Sequence, residues 1–92
     1  MSSFPLELPE RLTISEVKLI WNDWQMLLTH ASELIMDASI VQEIDTAGMQ
    51  LVLACIQESA NENIDVAWDP TPSEAFLQVA DTLGMTGRLG IE

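Results

Sequence analysis

A chain of 92 residues with 48% hydrophobic side chains makes one small domain, residues 1–92, with enough apolar material for a single core. Its 3 Lys+Arg against 15 Asp+Glu leave a net charge of −12, which argues against nucleic acid or an anionic membrane as partner and for a basic protein surface. No apolar run reaches the roughly 20 residues of a membrane helix and no secretory leader is recognisable. One cysteine cannot close an internal disulfide, so the expected compartment is the cytoplasm.

In chain order, residues 4–8 and 11–14 are short, partly alternating runs separated by Pro9-Glu10, the pattern of two strands and a turn. Pro5 and Pro9 make the first an edge strand or a bulged one. Ser15 is placed to cap the next segment. There Val17, Ile20, Trp21, Trp24, Leu27 and Leu28 recur at steps of three and four, one broad stripe of a helix that Ala31 continues. Leu19 and Met26 fall outside the stripe and either widen the core or mark an exposed contact. Residues 33–39 read as a strand. Residues 46–60 predict a second helix, apolar nearly all round except for a narrow stripe of Gln50, Gln57 and Asn61, and therefore mostly buried. Asn61-Glu62-Asn63 ends it, and Ile64, Val66 and Trp68 alternate as a half-buried strand. After the break at Asp69-Pro70, Thr71-Pro72-Ser73-Glu74 has the spacing of a capping box with proline at the first helical position. Phe76, Val79, Ala80 and Leu83 form the buried face of the third helix, Gly84 its C-terminal stop. Gly87 and Gly90 predict an irregular tail. The order β-β-α-β-α-β-α calls for a partly parallel sheet covered by helices.

Residues 45–49, Asp-Thr-Ala-Gly-Met, open the second helix, where four backbone N–H groups lack partners and the positive end of the helix dipole is exposed. A hydroxyl at Thr46 can cap that helix or accept a phosphate that the helix end stabilises. Gly48 is expected where the helix closely approaches its neighbours; no Gly-Lys-Ser/Thr follows, so it is no P-loop.

Leu34-Ile35-Met36-Asp37-Ala38-Ser39 followed by Ile44-Asp45-Thr46-Ala47-Gly48-Met49 resembles the signature of the STAS domain family, in which a strand ends in Asp and a small or hydroxyl residue. A few loop residues then lead into an apolar-Asp-Ser/Thr-Ser/Ala-Gly-Leu/Met run that opens a helix. The element order agrees over nearly the whole chain. Thr46 stands where many members have serine, Ala47 where serine is also common, and the first hairpin lacks a glycine often found there. The resemblance implies a small mixed sheet of four to five strands with helices mainly on one face. It also implies a stand-alone regulatory domain of the anti-sigma-factor-antagonist type. Such a domain binds an ATPase-fold kinase or anti-sigma factor through Asp45, Thr46, Ala47, Gly48, Met49 and Gln50, and phosphorylation of Thr46 breaks the complex. The alternative branch is an accessory subunit docked on the ATPase of an ABC-type lipid transport system.

Other chemistry is poorly supplied. Asp37 and Asp45, eight residues apart, could flank one pocket, but turn and cap duties explain such aspartates more simply. A single histidine, His30, near a helix C-terminus, and a single cysteine, Cys55, on an apolar helix face, assemble no catalytic triad and no soft-metal site. The three tryptophans lie on buried stripes. Neither an enzyme nor a cofactor or metal is expected.

Overall fold

The computed structural model describes residues 3–91. Its elements are β1 (Ser3–Glu7), β2 (Arg11–Leu12), α1 (Val17–Leu28), β3 (Glu33–Asp37), β4 (Glu43–Ile44), α2 (Thr46–Asn61), β5 (Asp65–Trp68), α3 (Glu74–Thr82) and α4 (Thr86–Leu89). Among the described residues the strands form two separate sheets, one of order β1-β3-β5 and one pairing β2 with β4. All pairings are parallel. This corrects three expectations. Among the described residues the first two strands form no hairpin, the pairings are parallel and not mixed, and the five strands divide into a sheet of three and a separate pair instead of one sheet of four to five. Pro9-Glu10 does not fold β2 back onto β1; it carries the chain off the first sheet, where Arg11 and Leu12 meet Glu43 and Ile44. That pairing makes a strand of a stretch too short to show a period of its own.

Alternation places the core. Leu6 on β1 and Leu34 and Met36 on β3 are fully buried, and the long apolar α2 contributes Met49, Val52 and Cys55. Trp24 and Leu28 seal the core from α1, Phe76 and Ala80 from α3. α1 packs on α2, and α2 reaches β4, β5 and α4. Gln50, Gln57 and Asn61 are exposed, as their shared stripe requires. Leu19 and Met26 are 73% and 72% exposed, so they do not widen the core.

Three helix ends differ from expectation. α1 begins at Val17 and Ser15 does not cap it. Instead Thr13 N and Oγ1 both donate to Glu16 Oε1, at 2.9 and 2.8 Å, and Glu16 N donates to Thr13 O at 2.9 Å, which closes a turn just ahead of the helix. α3 is capped by Ser73, whose Oγ accepts from Phe76 N at 3.2 Å and donates to Val41 O at 2.6 Å, so Thr71 and Pro72 precede the helix rather than open it. The expected irregular tail contains a single turn, α4. Gly84 ends α3 as expected. At φ +67° it lets Met85 N reach Ala80 O and its own N reach Asp81 O, the paired bonds of a Schellman turn.

Candidate functional site

The mouth of α2 is built by the short β2–β4 pair. Leu12 O accepts from Asp45 N at 3.4 Å, so the chain leaves β4 already anchored. Asp45 stays extended (φ −108°, ψ −176°) and is the N-cap. Its Oδ1 accepts from Gly48 N at 2.8 Å and its Oδ2 from Ile14 N at 3.0 Å. One carboxylate therefore closes the first turn of α2 and ties the β2–α1 connection to it. The Gly48 and Ile14 amides hold the Asp45 carboxyl below its ordinary range.

Thr46 is thus the first helical residue, not the cap. Its side chain is exposed, and its hydroxyl makes no hydrogen bond to any described residue. Beside it a shallow groove toward α3 is lined by Ile44, Val79, Asp81, Thr82 and Leu83. On the other flank Ala47, Leu51 and Ala54 face Val17, Lys18 and Trp21 across an open, largely apolar groove between α2 and α1. Of the stretch expected to meet a partner, Thr46 and Gln50 are exposed and Asp45 and Ala47 half-buried. Gly48 and Met49 are buried, so they seat the helix rather than offer a surface. At Gly48 an added Cβ would collide with the Leu12 carbonyl and crowd Ile44 Cγ1. The close approach read from the sequence is therefore real, and it is what brings α2 against the β2–β4 pair.

The surroundings are anionic. Arg11, one of three basic residues in the chain, lies between Glu16 Oε1 and Glu43 Oε2, at 3.8 Å from each. The Thr13 amide and hydroxyl hold the Glu16 carboxyl below its ordinary value, with Arg11 adding to the effect. Asp37 is occupied in a turn: its Oδ1 accepts from Ser39 Oγ at 2.6 Å and Ser39 N at 2.9 Å, and these bonds lower its pKa. Asp37 and Asp45 thus act separately, and neither is raised as a general acid would be. Among the described residues no three His, Cys, Asp or Glu side chains are grouped to hold a metal ion. Cys55 is buried, and burial pushes its thiol up to about 11, where it is inert as a nucleophile. No helix among the described residues is long and apolar enough to cross a membrane.

No family model matches the chain. No curated protein matches it either.

Two features of the site were missed in the sequence. The link from Asp45 to Ile14 joins residues 31 apart and leaves no local trace. The Thr13–Glu16 turn does leave one, a hydroxyl residue followed by glutamate at the third position, and it competes with Ser15 two residues later.

Proposed function

We propose that this chain is a non-enzymatic regulatory protein-binding domain of the STAS, anti-sigma-factor-antagonist type, whose partner is an ATPase-fold kinase or anti-sigma factor. Thr46 is the phosphate acceptor and release switch. The supporting observation is the division of labour at the α2 mouth: Asp45 takes the cap, and the Thr46 hydroxyl is left exposed and uncommitted. A hydroxyl spent on capping would have to leave its helix to be modified; this one would not. Phosphate there would take the net charge from −12 to about −14 beside Asp45, enough to weaken a small interface with a basic partner. The helix N-terminus offsets part of that repulsion.

Incubation with a kinase of the cognate type and ATP, followed by mass measurement, tests the assignment. The wild type should gain one phosphate and lose its partner, Thr46→Ala should bind and stay unmodified, and Thr46→Glu should fold but not bind. A wild type that remains unmodified while the kinase acts on a control substrate rejects the switch. One observation favours a second reading. The open apolar groove between α1 and α2, beside Ala47, suits constitutive docking on a transporter ATPase. In that case no phosphate appears, and Thr46→Ala and Thr46→Glu weaken the complex alike.

A further inference from the structure

The two edges of the three-stranded sheet are not equivalent. In a parallel ladder, alternate residues of an edge strand turn their N–H and C=O groups to the neighbouring strand and the rest turn them outward. On β1, Leu8 N donates to Asp37 O, so the even-numbered residues face β3 and Ser3, Pro5 and Glu7 face out. Pro5 therefore sits where a donor would otherwise point into solvent, which blunts that edge. On β5, Asp65 N donates to Ser32 O and Asp69 N to Met36 O, so Val66 and Trp68 are the outward residues. Their backbone groups have no partner among the described residues. Both are half-buried. No proline interrupts this strand, and its outward positions are bracketed by Asp65 and Asp69, both exposed.

We infer that the outer edge of β5 receives an extended basic segment of a protein partner as a fourth strand. The charges choose between occupants. Two copies of β5 pairing antiparallel about a twofold axis, in the register that uses both outward residues by setting Val66 opposite Trp68, would also set Asp65 of each opposite Asp69 of the other, and like charges directly opposite destabilise a pair. Lysine or arginine at those places reverses the sign, on a chain of net charge −12. The half-buried Val66 and Trp68 call for apolar residues facing them. The recognised pattern is basic, apolar, any residue, apolar, basic, held by main-chain bonds to Val66 and Trp68. This surface is independent of the Thr46 reading.

The test is amide hydrogen exchange of the full chain with the capped pentapeptide Lys-Val-Thr-Val-Lys, using Glu-Val-Thr-Val-Glu as control. The basic peptide should slow exchange at Val66 and Trp68 by about threefold or more, less so in high salt, and the acidic one should not. Val66→Pro removes an outward donor without touching the bonds to β3, as Pro5 does on β1, and should abolish the protection. Should that variant fail to fold, Asp65→Lys combined with Asp69→Lys should abolish it while the far-ultraviolet spectrum is kept. Three results would each overturn the inference: no protection at either amide at millimolar peptide, equal protection by the acidic peptide, or protection confined to other elements. Protection of the same amides by protein concentration alone would assign the edge to a second copy and overturn it as well.

Discussion

Aspartate outranks threonine as a helix cap because a carboxylate accepts strongly and carries the sign of charge a helix N-terminus stabilises. At residues 45 and 46 both types are adjacent, and the aspartate wins by using both oxygens, one on Gly48 N and one on Ile14 N. Thr46→Ala should therefore stay within about 0.5 kcal/mol of the parent in urea denaturation, as an exposed residue without a cap duty does; a loss near that of a cap would return the role to Thr46. Asp45 also links stability to pH. Its folded pKa is depressed, so its contribution is fully present above the ordinary carboxylate value, about 4, and is lost as pH falls through the folded value. Asp45→Asn keeps a cap without the titration. Its melting temperature should fall less than the parent's between about pH 5 and about pH 3. Equal slopes would show that Asp45 contributes nothing to acid sensitivity. Gly48→Ala should cost ~1–3 kcal/mol, because the obstacle is the Leu12 backbone carbonyl and not a side chain that can swing away.

At the scale of elements, α2 carries most of the fold. Its sixteen residues bury Met49, Leu51, Val52, Leu53, Cys55 and Ser59, and Ile56 is half-buried. Ser59 remains satisfied inside by donating its hydroxyl to Cys55 O at 2.8 Å. Leu51→Ala should cost ~2–4 kcal/mol through the cavity it leaves; a loss below ~1 kcal/mol in chemical denaturation would place the core elsewhere. α3 depends on one hydroxyl that serves two elements, since Ser73 caps the helix and also holds Val41 O in the β3–β4 connection. Ser73→Ala should lose ~1 kcal/mol. Replacement by threonine should recover most of that, and a full recovery by valine would show that packing, not hydrogen bonding, holds the start of α3.

For the whole molecule, charge is the dominant property. Fifteen acids on a body with a radius of gyration of 12.1 Å surround it with negative potential that a basic partner feels before contact. Association with the proposed partner should slow markedly between low and moderate salt, as stopped-flow mixing would show. Salt-independent rates would move the contact to apolar surface, where the exposed Leu19 and Met26 and the groove beside Trp21 are available.

The amino-acid sequence by itself determined the class of the fold, the place of the three long helices, the burial of α2 and the close approach at Gly48. These follow from local periodicity and from residue types whose conformational demands are their own. Strand pairing was decided by tertiary structure. Five residues of β1 meet β3 across some thirty residues of chain, and nothing in residues 4–14 distinguishes that parallel partner from the adjacent β2. The two-residue strands β2 and β4 exist because each supplies the other's backbone partners, which no single segment encodes. The same applies to the cap of α2. Asp45 and Thr46 were both candidates in the linear chain. The approach of Ile14 N, 31 residues away, gave the carboxylate a second donor and left the threonine hydroxyl free.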